Sequence, residues 1–176
     1  AGKPLPNRET EIDWVWGWML PSGSPVLLPA ALIFQFRVHS AGSDYAWPRR
    51  GSSGMSAGAS ALDSMLQGLF ECIERDTVAT YARTGTMALD IDLASLRDPF
   101  VVAAIEDAKA LGYNVRIRWL ASDSNVPVLE AIFAHPTDPY LNLLVAHGCH
   151  LDTEIALRRA VSEAHQYRFC AMHEPT

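Results

Sequence analysis

Little in this sequence is basic, and nothing in it is long and apolar enough to cross a bilayer. No apolar run approaches the roughly eighteen residues that a spanning helix needs. Fourteen Lys and Arg stand against twenty Asp and Glu, a net charge of −6. That balance argues against a polybasic membrane contact and against a nucleic-acid footprint. Cysteine is scarce: Cys72, Cys149 and Cys170 are odd in number and widely spaced. No disulfide framework is expected, and reduced thiols in a cytoplasmic protein are the plain reading. The first ten residues contain no apolar signal core, and the chain does not begin with Met. Repeats and low-complexity tracts are absent. What remains is 176 residues, 49% hydrophobic and 19% charged, which is a globular composition with room for one sizeable core.

The pattern along the chain predicts an α+β fold, with mixed β-sheets packed with about three helices. Residues 1–12 read as a flexible tail, 13–172 as a single domain and 173–176 as a second tail. Trp14 to Val38 reads as a hairpin-like β region with a turn at Pro21–Pro25, Ala30 to Val38 continuing as strand. Glycine and serine concentrate between His39 and Ser60, which reads as loop. From Ala61 to about Arg83, Leu62, Met65, Leu66, Leu69, Ile73 and Thr77 recur at helical spacing. Asp98-Pro99 opens a second helix that ends near Leu111-Gly112. Strand-like runs follow at 114–120, 127–134 and 140–147, and Asp152-Thr153 caps a last helix to about Ala171. The five tryptophans lack basic interleaving and read as core or interface.

The chemistry concentrates on two helices. At 100° per residue, Gln67, Gly68, Glu71, Glu74 and Arg75 share one face, opposite the apolar stripe. Carboxylates at i and i+3 repel. Arg75 relieves part of that repulsion, and a divalent metal with bound phosphate would relieve the rest; the bland alternative is a solvated helix face. Asp76 points toward the apolar side, where a carboxylate needs a partner. On the last helix Arg159, Glu163, Gln166 and Tyr167 share a face opposite Leu157 and Val161, Arg159–Glu163 reading as an ordinary i, i+4 pair. Gly54-Met-Ser56-Ala-Gly58 matches the G-x-S-x-G elbow of serine hydrolases, but Trp47-Pro-Arg-Arg-Gly-Ser-Ser cannot be the apolar strand that elbow requires. His147-Gly-Cys149-His150 suggests a metal site only weakly, since no second ligand pair has zinc spacing.

Together these segments resemble the YcaO family of ATP-dependent enzymes that modify peptide backbone amides. Ser52-Ser-Gly-Met-Ser-Ala-Gly58 looks like its serine- and glycine-rich loop, and Glu71-Cys-Ile-Glu74-Arg75-Asp76 like its E-x-x-E-R-D helix. Val126-Pro-Val-Leu resembles its "iPv" strand, and Ala156 to Arg168 its second, E-x-x-Q helix. Trp14-Val-Trp-Gly17 and Leu28-Pro-Ala30 resemble the upstream part of the domain. The resemblance implies an ATP and magnesium site between the two helices. Glu71, Glu74 and Glu163 become metal ligands; Arg75, Gln166, Ser52 and Ser53 join them in holding ATP. It implies activation of a backbone carbonyl to an azoline or thioamide, in natural-product biosynthesis or ribosomal-protein modification, with a peptide substrate. It leaves room for a sulfur-delivery or substrate-recruiting partner protein and for a homodimer. Ser53 stands where the family commonly has Asn, and Gln67-Gly68 where many members place a ligand-contacting Ser. Full YcaO domains are longer than this chain, so it is expected to be the central portion of one. The rival expectations are a non-catalytic accessory or scaffold domain and, less favoured, a serine hydrolase with Ser56 as nucleophile.

Overall fold

The loop between the first two strands shows how local chemistry starts the chain folding. In the computed structural model, which describes residues 4–34, 52–85, 87–137 and 141–173, Gly23 adopts φ 65° and donates its N–H to the Met19 carbonyl at 2.8 Å. A left-handed turn residue of this kind favours glycine. It joins β1 (Trp14–Met19) to β2 (Ser24–Pro29) in an antiparallel hairpin. The expected continuation as strand from Ala30 is corrected: Ala30–Ile33 form a single helical turn, α1. Ala and Leu favour helix, and nothing among the described residues pairs with this segment as a ladder. Residues 35–38 lie outside the described residues, as do Trp47, Tyr140 and the last three residues. Trp14, Trp16 and Trp18 alternate onto one hairpin face and are exposed, so they are not core.

The chain divides into two compact units, Ala1–Ser52 and Ser53–Thr176. The second holds α2 (Ala61–Thr84), β3 (Ala88–Asp90), a 3-10 turn (Leu93–Ser95) and α3 (Pro99–Ala110). Then come β4 (Asn114–Leu120), β5 (Val128–Ala134), β6 (Leu143–Cys149) and α4 (Thr153–His173). The four strands form one sheet in the order β3-β4-β5-β6, every ladder antiparallel. The α+β class stands.

Alternation along the strands gives the sheet two different faces. One carries Ile117, Leu129, Ala131, Phe133, Leu144 and Ala146, all buried beneath α3 and α4. The other carries Leu120, Val128 and Cys149, covered by Phe70 of α2. Asp98 caps α3 as the sequence predicts, accepting from the N–H groups of Phe100 (2.9 Å) and Val101 (3.3 Å). Its second oxygen accepts from Arg158, which fastens α3 to α4.

Helix α4 presents Ala156, Ala160 and Ala164 to the sheet, all fully buried, and these small side chains let it lie close to β6. The closest approach is at Gly148, where a Cβ would stand 2.1 Å from the Ala156 carbonyl oxygen and 2.7 Å from the Ala160 nitrogen.

Helix α2 departs from its sequence pattern. Leu62, Met65 and Leu69 are exposed, and the buried sector runs instead through Phe70, Glu74 and Thr77. The helix is therefore turned about a quarter revolution from the orientation its apolar stripe implied. Asp76 shares the exposed side, so its carboxylate needs no buried partner.

Gly148→Ala should cost at least about 3 kcal/mol, because the added methyl collides with backbone that cannot give way. Gly23→Ala, with open space around it, should cost only about 1–2 kcal/mol for its left-handed φ. Urea unfolding of the two variants checks the contrast, and equal losses would contradict the tight approach of β6 to α4.

Candidate functional site

Three elements converge at one end of the second unit. Ser60 caps α2, accepting from the Asp63 N–H at 3.1 Å, and fixes where the helix begins. Gly68 is buried because the glycine loop lies across it: a Cβ there would stand 2.6 Å from the Gly54 carbonyl oxygen. Held in this way, α2 directs Gln67, Glu71, Glu74 and Arg75 into a cavity of about 380 Å3. Helix α4 supplies Arg159, Ser162, Glu163 and Gln166 to the same cavity, and β6 supplies His147 and Cys149.

All five helical residues expected from the sequence, Glu71, Glu74, Arg75, Glu163 and Gln166, thus meet in one place. Ser52 and Ser53 are not among the residues that line the cavity. Both are exposed, and Ser52 closes the first unit. Ser56 Oγ donates to the Ser64 carbonyl at the start of α2.

The hydrogen bonds differ from the expected surface pairs. Arg159 donates to the Cys149 carbonyl at 3.1 Å and to Gln67 Oε1, with its guanidinium 5.9 Å from the centre of the Phe70 ring. This replaces the expected pairing with Glu163, whose oxygens accept from the His147 N–H (3.0 Å) and the Tyr167 hydroxyl (2.6 Å). Arg75 Nε lies 3.7 Å from Glu71 and 4.0 Å from Glu74. Sequence reasoning placed Gln67 and Arg159 on the correct faces without joining them, and left out Phe70 and Ser162. It weighed His147 and Cys149 only as part of a weak metal site, and the structure brings both to this cavity.

The electrostatics are those of a crowded anionic cavity. Burial pushes the Glu74 carboxyl above its ordinary range, Glu163 and Glu71 push it the same way, and Arg75 and His147 only partly pull it back. Burial, with Glu74 nearby, pushes the Cys149 thiol up to about 11. Tyr167 is pushed up to about 12 by burial and by its bond to Glu163. The neutral thiol is a poor nucleophile at physiological pH.

Among the described residues, no group of three or more His, Cys, Asp or Glu side chains is close enough together to hold a metal ion. The donor set nevertheless suits a hard cation such as magnesium, which takes carboxylate oxygens. Three carboxylates share the cavity, and Glu74 is raised first by burial and then by the charge of Glu163.

Comparison with known proteins identifies the family and the fold. The family model described as YcaO cyclodehydratase, ATP- and Mg2+-binding, matches residues 4–175. The chain belongs to the YcaO family. It is 31% identical over 123 residues to the ribosomal protein S12 methylthiotransferase accessory factor YcaO of Escherichia coli K12, covering 66% of this chain and 20% of that protein. A solved heterocyclase in complex with substrate and cofactor is 27% identical, with a TM-score of 0.75 over 87% of this chain and 20% of that one. YcaO from Methanopyrus kandleri, solved with AMPPCP and Mg2+, shares the fold at a TM-score of 0.80 and 24% identity, over 96% of this chain and 44% of that one. The chain spans less than half the length of the curated relatives it matches.

Glu74→Gln tests the burial and crowding of that carboxylate. A carboxyl held above its ordinary 4.5 contributes stability that is whole below 4.5 and lost as pH rises through the raised value. The variant should therefore melt higher than wild type at pH 7, the difference shrinking as pH falls toward 4.5. Parallel melting curves across that range would contradict the assignment.

Proposed function

We propose that the cavity between α2 and α4 holds ATP with magnesium. In the whole enzyme, we infer, ATP phosphorylates a peptide backbone carbonyl oxygen on the way to an azoline or thioamide. One observation carries this reading: Glu71, Glu74 and Glu163 line one cavity with Arg75 and Arg159. Three carboxylates and two guanidiniums leave it net anionic, so a polyphosphate enters only with counter-cations. Glu71, Glu74 and Glu163 would hold magnesium, which supplies charge neutralisation of the phosphate oxygens. Arg75 and Arg159 would meet the remaining phosphate charge, Arg159 already oriented by Gln67 and the Cys149 carbonyl.

In the proposed reaction a Cys, Ser or Thr side chain of the peptide, or sulfide, adds to the backbone carbonyl. The resulting oxygen takes the γ-phosphoryl group and ADP leaves. Loss of phosphate then gives the ring or the thioamide. This chemistry depends on positioning and electrostatics more than on a protein nucleophile. That matches a cavity whose one thiol, Cys149, stays protonated at neutral pH. The peptide substrate, a partner that delivers it or sulfur, and a homodimer belong to this reading. The second reading, an accessory domain without catalysis, is supported by the description of the Escherichia coli relative.

Isothermal titration with Mg-ATP tests the site. Binding is expected, with Glu74→Ala weakening it at least about tenfold. At nucleotide near 100 times the dissociation constant, stability should rise by about 2.7 kcal/mol. No heat of binding and no change in melting would sink the nucleotide reading. Binding without turnover in the full-length protein would favour the accessory one. A fluorophosphonate probe should leave Ser56 unlabelled, and labelling would revive the hydrolase alternative.

A further inference from the structure

Glu130 is a buried carboxylate in the middle of an apolar strand, Val128-Leu-Glu-Ala-Ile-Phe133, and it does not line the cavity. Its register partners are Arg118 on β4 and His147 on β6, so the three side chains form one row across a single sheet face. Arg118 Nε donates to Glu130 at 2.6 Å, and its Nη1 donates to the Tyr81 hydroxyl at 2.8 Å. His147 Nε2 lies 3.3 Å from the other Glu130 oxygen. The His147 main-chain N–H, directed away from β5, donates to Glu163 on α4 at 3.0 Å. Tyr81 lies about two turns beyond Glu74 on α2.

A continuous polar chain therefore runs from the helix that carries Glu74, across three strands, to the carboxylate of Glu163. The bond from Arg159 to Gln67 joins the same two helices at the other end of the cavity. A buried ionic row costs desolvation that an apolar row would not, and apolar replacements of similar size are often neutral or stabilising. The neighbouring row of Leu120, Val128 and Cys149 is apolar. Packing alone therefore does not account for the charges.

We infer that Glu130 is a positioning residue: through His147 and Arg118 it sets the placement of Glu163 relative to Glu74, and hence the affinity of the cavity for its ligand, without touching that ligand. The link to affinity rests on the nucleotide reading above; the strut itself does not.

The test replaces the row with apolar groups, Arg118→Met with Glu130→Leu, so that neither ion is left unpaired. The expected melting temperature is at or above wild type. The His147 amide should exchange about tenfold faster relative to the Ala108 amide of α3, and Mg-ATP affinity should fall about tenfold. A second variant, Glu130→Gln, keeps the shape but offers one carbonyl oxygen to two donors, and should shift both readouts in the same direction by less. Unchanged exchange at His147 in both variants overturns the strut, whether or not nucleotide binds. Faster exchange with unchanged Mg-ATP affinity overturns its control of the cavity. Loss of affinity only in step with a large fall in melting temperature reduces Glu130 to a structural part and also overturns the proposal. A wild-type chain that binds no Mg-ATP, with exchange accelerated in the variants, keeps the strut and removes the nucleotide reading.

Discussion

The approach of β6 to α4 at Gly148 is the contact on which the rest of the site depends. With no side chain at that position and alanines facing it, the helix lies against the edge strand of the sheet. At that distance a carboxylate on the helix reaches a main-chain N–H of the strand, and an arginine one turn earlier reaches a main-chain carbonyl. Glu163 and Arg159 are thus held by backbone, which moves far less than a side chain would. A wider separation would leave both groups to find their own positions in solvent.

The second helix is held by different means. Its cavity-facing side is largely polar, so hydrophobic burial alone cannot fix its rotation. Phe70 supplies an apolar anchor on the sheet. The glycine loop locks it at Gly68, and hydrogen bonds from Arg159 and Arg118 reach Gln67 and Tyr81. Charged groups that repel one another across the cavity are in this way held by contacts in its walls and beyond them. Such preorganisation lets a site stabilise added charge without first rearranging.

How much of this could be read from the sequence depended on range. Asp98-Pro99, Leu111-Gly112 and Asp152-Thr153 are local cap signals, and α3, β4 and α4 lie close to where those signals put them. The two motif-bearing helices could be found because each motif lies within one or two turns. The rotation of α2 could not, because it depends on β6 and α4, which are distant in sequence. Gln67 and Arg159 are separated by 92 positions, and only tertiary structure joins them. Glu130 was not singled out from the sequence, because its meaning required the register that places Arg118 and His147 beside it. Ala30–Ile33 misled because a short apolar run has no period of its own to separate strand from helix.

The three thiols differ in what they can report. Cys149 is buried and held protonated, whereas Cys72 and Cys170 are exposed. The Cys72 sulfur lies 3.0 Å from where a Cβ on Gly54 would stand, so it sits directly beneath the glycine loop that crosses α2. An alkylating reagent at that sulfur competes with the loop for the same space. Cys72 is therefore a built-in handle on the seating of that loop, and Cys170, far along the last helix, is its internal control.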